Sequence, residues 1–359
     1  MHEELSGVWI MAYTTIDDPS AYFQTMIYTG NGAVRSLTND GNSDLQPDWI
    51  WIKRRDSTGN HMSIDSTRGV TKVVYPHIAN AEETLSNRVT SFDSDGYSTA
   101  NEDANTNTGT FVAWQWKANA GTTTSDTGGN LNTVYQVNST SKFGILTYTG
   151  NESAGQSMNH GLGTTPAVFM IKNRSQGNDW AVYHHKNTAA PETDLLVLNT
   201  TAATADVNTF TSDNAPNSTV IYVGAEHNVN ANTENYVCYY WAEVQGYSKS
   251  GSYTGNGNAS GPFVYTGFKP AWLMIKRTDS SEGWHMVDHK RDVNENNARL
   301  QAETNGSEDT SEGGLDMLSN GFKIRTTWAG FNADGGTYIY MAFAESPFVS
   351  SKGVPTTAR

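Results

Sequence analysis

An all-β fold of three tandem antiparallel β-sandwich modules, jelly-roll-like in form, is what this sequence predicts. Three observations predict it: the composition, an internal repeat and the placement of the turns. Of 359 residues, 36% are hydrophobic and 17% charged, and the remainder is dominated by Gly, Thr, Asn and Ser rather than helix formers. Disorder needs low hydrophobicity with high charge and few aromatics. Here 10 Trp, 17 Tyr and 12 Phe supply ample material for a core.

The chain repeats itself. Tyr28-Thr29-Gly30-Asn31-Gly32 returns as Tyr148-Thr149-Gly150-Asn151 and as Tyr253-Thr254-Gly255-Asn256-Gly257. Each copy is followed by a Pro, a short apolar-rich run and a Lys. The copies read Pro47-Asp48-Trp49-Ile50-Trp51-Ile52-Lys53, Pro166-Ala167-Val168-Phe169-Met170-Ile171-Lys172 and Pro270-Ala271-Trp272-Leu273-Met274-Ile275-Lys276. Tyr-to-Tyr and Lys-to-Lys offsets agree to within one residue, which chance rarely produces. Next come His61-Met62-Ser63-Ile64-Asp65, Trp180-Ala181-Val182-Tyr183-His184 and Trp284-His285-Met286-Val287-Asp288. The copies close on aromatic runs ending at Trp116, Trp241 and Phe343. Units of roughly 100 residues exceed solenoid periods of about 20–50 and fit tandem β domains.

Each Pro-to-Lys run is short, rich in β-branched and aromatic residues and bounded by Pro, so it reads as a strand. Side chains alternate, which sends Trp49 and Trp51 to one face and Ile50 and Ile52 to the other. A strand apolar on both faces is covered on both sides. One side is the sandwich core; the other must meet a neighbouring module or another subunit. Asp95-Gly96 and Asn320-Gly321 read as hairpin turns. Helix is expected only over 77–88 and 293–303. The modules are placed at 23–118, 143–246 and 247–349. An N-terminal extension where an anchor would sit covers 1–22, and a tail covers 350–359. Residues 119–142, rich in Gly, Thr and Ser, read as a flexible linker that proteases should cut first.

A net charge of −14, with no basic run longer than Lys53-Arg54-Arg55, excludes a phosphate-backbone ligand and hence nucleic acid as the expected partner. Cys238 is the sole cysteine, so no internal disulfide forms, and its apolar neighbours mark it as a buried small hydrophobe. No stretch approaches the ~18 apolar residues of a membrane span, and no basic-then-apolar leader opens the chain. Met11 is a second plausible start.

Motifs that carry chemistry are thin. Asp93-Ser94-Asp95-Gly96 begins like a calcium loop, but the position due a bidentate Glu is Ala104, which leaves a hairpin turn. Asp40-Gly41-Asn42-Ser43-Asp44 reads as an ordinary polar loop. His184, His185, His285, Asp288 and His289 invite a metal, yet His184 aligns with Asp65 and Asp288, which points to a surface strand. Glu82, Glu83, Glu226 and Glu243 form no recognisable acid–base pair, and neither G-x-S-x-G nor H-E-x-x-H occurs. The Lys retained at 53, 172 and 276 reads as a strand-end gatekeeper. No catalytic, cofactor-binding or metal-ligating residue is assigned, no cofactor is expected, and the protein is expected not to be an enzyme.

Met11-Ala12-Tyr13-Thr14-Thr15-Ile16-Asp17-Asp18-Pro19 continues into the first repeat, which also carries Asp65-Ser66-Thr67-Arg68-Gly69 and Ser91-Phe92-Asp93-Ser94-Asp95-Gly96-Tyr97. With the closing run to Phe348, the chain resembles a repeat of unknown function found in tail-fibre-like structural proteins of marine bacteriophages. The resemblance is weakest in the second unit, which lacks the Asp-Ser-x-Arg-Gly segment. It implies a virion surface protein, a tail fibre or tail-associated adhesin, with no catalytic residues. Expected partners are other virion proteins, further copies of the chain (a homotrimer favoured) and a host surface glycan. The expected location is the particle surface, tail before head. The alternative is a capsid decoration or head-fibre protein with a purely architectural role.

Overall fold

Alternation along the repeated strands decides the architecture. A computed structural model describes residues 12–100, 103–291, 298–311 and 314–356. Three large antiparallel sheets share one order: an opening strand, the closing aromatic strand, the Pro-to-Lys strand, then the strand after it. In the first sheet these are Phe23–Thr29, Thr110–Trp116, Trp49–Arg54 and Met62–Asp65. In the second they are Phe143–Thr149, Asn235–Trp241, Val168–Asn173 and Ala181–His184. In the third they are Ser248–Thr254, Thr337–Pro347, Phe268–Arg277 and Trp284–Asp288. Pairing brings equivalent landmarks opposite one another: Trp49 faces Trp116, Val168 faces Trp241, and Trp272 faces Phe343.

One face of each large sheet is covered by a small sheet. Arg35–Leu37, Tyr97–Thr99 and Val89–Phe92 cover the first; Gln156–Asn159 and Val220–Val223 the second; Phe263–Tyr265, Gly321–Ile324 and Leu315–Leu318 the third. Ile50 and Ile52 pack there with Leu37, Val89 and Tyr97. Leu273 and Ile275 pack equivalently with Val264, Phe322 and Ile324.

The opposite faces of the three large sheets meet one another. Trp49, Trp51, Trp114, Trp116, Met170, Tyr239, Trp241, Trp272 and Met341 belong to one buried cluster fed by all three. Its rings lock across sheets. Trp49 stacks on Tyr239 at 4.4 Å between centroids, Phe23 on Phe343 at 5.1 Å, and Trp116 meets Trp272 edge-on at 5.7 Å. Such ring pairs add about 0.5–1.5 kcal/mol each beyond area burial. The second apolar face therefore finds its partner inside the chain, as tight module packing.

Two expectations need correction. Residues 77–88 hold no helix: they run as loop into the short strand Glu83–Thr84, and the Glu82 and Leu85 backbone N–H groups donate to the Arg174 and Thr71 carbonyls rather than within a helix of their own. In 293–303, residues 293–297 lie outside the described residues and Leu300–Gln301 is a strand. The 119–142 segment is also no free linker. Thr124–Asp126 and Thr133–Asn138 extend the second large sheet. Its start is tied to the first sheet by Asp48, whose buried carboxylate accepts the backbone N–H of Ala118, Ala120 and Gly121 at 2.7–2.9 Å and the Ser66 hydroxyl at 2.5 Å. Asp48→Ala strips four donors of their acceptor and is expected to cost about 2–3 kcal/mol. Limited proteolysis should then cut within 119–131 faster than in the unaltered chain; equal rates would contradict this anchoring.

Candidate functional site

Most residues that the sequence singles out lie at the joints between the three sheets. Lys53, Lys172 and Lys276 are fully buried rather than exposed gatekeepers. Each ammonium reaches a carbonyl on a neighbouring unit: Lys53 to Asn305 at 3.3 Å, Lys172 to Ala79 at 2.9 Å, Lys276 to Thr201 at 3.4 Å. The lysine stands one position beyond the apolar run on the face that points between sheets, so its stem lines the joint and its head ends on loop carbonyls. Burial pulls Lys53 and Lys276 down to about 8 and Lys172 to about 7.

The aligned positions His61, Trp180 and Trp284 follow the same sense. His61 Nε2 lies 2.9 Å from the Thr304 carbonyl, and the Trp180 and Trp284 indoles donate to the Tyr75 and Val197 carbonyls at 2.9 Å. The Trp51 indole donates to His61 Nδ1, so His61 carries its proton on Nε2, and burial holds it neutral.

Asp65, His184 and Asp288 are buried and occupy joints, not the surface strand expected of them. Asp65 accepts from the Tyr239 hydroxyl at 2.7 Å, His184 Nε2 lies 3.1 Å from the Tyr340 carbonyl, and Asp288 accepts from the Trp114 indole at 3.0 Å. Two of these joints carry charge networks. Arg68 binds Asp65 and Glu82, and Glu82 also binds Arg174 of the second unit. Arg291 binds Asp288 and Glu308, and Glu308 also binds Arg55 of the first unit. The third joint has no such arginine–carboxylate network among the described residues, with Thr278 standing where the others have Arg55 and Arg174; its carbonyl accepts from Thr204 N–H.

The remaining candidates are dispersed. His185 lies 3.5 Å from Glu243, and His289 Nδ1 contacts the Ala271 carbonyl. Glu83 accepts from the Tyr75 hydroxyl, and Glu226 from Asn228. Cys238 is buried among the second unit's apolar side chains. Asp93 accepts from the Ser91 and Ser98 hydroxyls within a hairpin. The loop around Asp40 docks by Gly41 N–H on Gln24. Among the described residues, no group of three His, Cys, Asp or Glu side chains converges as a metal site.

What remains open to solvent is a rim. A groove of about 500 Å³ runs between Tyr13, Thr15, Ser139, Thr140, Lys142 and Gln245. From it, the Tyr13 hydroxyl reaches the Tyr265 hydroxyl at 3.0 Å and donates to the Gly267 carbonyl at 2.8 Å. Gly267 sits at φ +85°, and a Cβ there would lie 2.7 Å from that hydroxyl, so the contact requires glycine. Sequence reading missed this rim, and it missed Asp48. The signal for Asp48 was its charge at a place where the other copies have Ala167 and Ala271.

The fold and its joints define an all-β protein of antiparallel sheets packed face to face, in which three large sheets close on one aromatic core. The chain belongs to the family DUF7483, a domain of unknown function, whose pattern spans residues 18–347. No curated protein matches the chain.

Proposed function

We propose that this is a non-enzymatic structural protein of a bacteriophage particle, a tail fibre or tail-associated adhesin that contacts host surface glycans. The observation that carries the reading is the use of the chemistry-bearing residues. Buried lysines, carboxylates and indoles hold three sheets together around a shared core, while the solvent-facing rim offers hydroxyls, amides and aromatic rings. A rigid hub with a polar, aromatic rim suits display and weak surface binding. Several copies on one particle, a homotrimer in the simplest case, would turn weak sites into avidity. The charge of −14 suits an exposed, soluble particle surface.

Immunogold electron microscopy of purified particles, with an antibody to residues 247–348, tests this. Label at the tail is the expected result. Label spread over the head would replace the adhesin with a decoration protein, and particles without label would overturn the virion reading.

A further inference from the structure

Phe263 and Tyr265 stand out on the surface. They are 45% and 48% exposed, whereas Val264 between them is buried, so both rings share the outer face of one short strand. Among the described residues they are the only aromatics in the set of exposed large hydrophobic side chains. Two positions apart on a strand, their Cβ atoms stand about 6.5–7 Å from each other. The strand Phe263–Tyr265 is an edge strand, paired only with Gly321–Ile324. Gly321, opposite Tyr265, leaves no room for a side chain: a Cβ there would lie 2.1 Å from the Val264 carbonyl oxygen and 3.1 Å from the Phe263 ring tip. The Phe263 ring tip thus reaches over Gly321 while nearly half of the residue stays open to solvent.

Cations outnumber carboxylates here in a chain that is acidic as a whole: Lys249, Lys323 and Arg325 stand against Asp316, which pairs across the sheet with Lys323, and Glu243, which lines the groove near Lys249. Lys323 lies directly across from Phe263 in the sheet, and its ammonium is held by the Gly261 carbonyl. Lys249 sits 5.5 Å from the Tyr265 ring centre and donates to the Tyr265 carbonyl at 3.1 Å. Neither lysine makes an ion pair within the described residues. Arg325, on the same face, is matched by Asp316. Tyr13 joins this face to the hydroxyl-lined groove through its contact with Tyr265.

We infer that the Phe263–Tyr265 face, flanked by Lys249 and Lys323 and continued by the Tyr13 groove, binds an acidic polysaccharide. Two aromatic faces at this spacing stack on the C–H faces of successive pyranose rings. The two lysines meet carboxylates on the sugar units, and the Thr and Ser hydroxyls with Gln245 meet its hydroxyl groups. The inference deepens the adhesin reading and rests on it for its biological setting, but its chemistry stands on these residues alone.

Affinity electrophoresis of the full chain through gels containing polygalacturonate, alginate or dextran tests the site. Retardation by a polyuronate and not by neutral dextran is expected. The double variant Phe263→Ala/Tyr265→Ala should lose at least about tenfold in affinity with an unchanged melting curve, since both rings are outside the core. Lys323→Gln, with the rings intact, should weaken polyuronate binding and flatten its salt dependence. Unretarded wild type in both polyuronates, or equal retardation of wild type and the double variant, would overturn the site. Equal retardation by dextran would overturn the role of charge. Polyuronate binding by a chain absent from particles removes the virion reading and leaves the site; tail label with unaltered variants removes the site alone.

Discussion

Arg68→Met is expected to cost about 3–5 kcal/mol of folding stability, read as a fall in the urea midpoint at unchanged slope. The Arg68 side chain is wholly buried and binds Asp65 and Glu82. It also donates to the Tyr239 hydroxyl at 2.9 Å and the Ser63 carbonyl at 3.2 Å. Methionine fills much of the same volume but leaves the Asp65 carboxylate buried with no counter-charge. The loss falls on a joint, because Tyr239 belongs to the second sheet and Asp65 to the first. The double variant Asp65→Asn/Arg68→Met should recover part of the loss, since it removes both charges. The chain holds its own precedent: the second unit has His184 and Asn187 at these positions and makes no ion pair between them. A single variant within about 0.5 kcal/mol of wild type would show that packing alone holds this joint.

Stability is expected to rise between about pH 7 and pH 10, against the usual decline of proteins in alkali. Burial brings Lys172 to about 7 and Lys53 and Lys276 to about 8. In the unfolded chain these amines titrate near about 10.4. Across that window the unfolded state binds more protons than the folded one, so unfolding free energy increases with pH. The gain is fully present above the unfolded value and is lost as pH falls through the folded values. Lys172 alone would contribute at most about 4 kcal/mol between pH 7 and pH 10, and its contacts with the Ala79, Asn173 and Asn178 carbonyls at 2.8–2.9 Å favour the charged form and offset part of this. Above about pH 10 the sign reverses. Burial pushes the Tyr97, Tyr148, Tyr239 and Tyr240 hydroxyls well up, so ionising them in the unfolded chain favours unfolding. Urea unfolding at pH 7, 8, 9 and 9.5 checks the slope. Lys172→Met should flatten it; a slope that is flat in wild type, or unchanged in the variant, would contradict the assignment.

The strand positions were legible because they depend on local rules. The Pro, the alternation within Trp49–Lys53 and its two counterparts, and the hairpin at Asp95-Gly96 are all readable within a few residues. The linker misled for a reason of the same kind. Gly, Thr and Ser composition marks weak local preference, and nothing local says that Asp48, far away in sequence, gathers three backbone N–H groups at 118–121. His184, Asp65 and Asp288 misled likewise. Polar residues at the end of a strand look exposed until a second sheet covers them.

By itself the sequence determined that the chain is all-β, that its central strands are apolar on both faces, and that those faces need a covering. Periodicity and side-chain type suffice for that, since both act along the strand. Only the tertiary structure decided what the covering is: each large sheet closes on the other two, within one chain. It also decided that the repeated lysine ends on a neighbour's carbonyl, that two joints carry an arginine–carboxylate network where the third has Thr278, and that Phe263 and Tyr265 are left on the outside. These outcomes depend on which residues, far apart in sequence, come to share one desolvated space, and no local pattern records that.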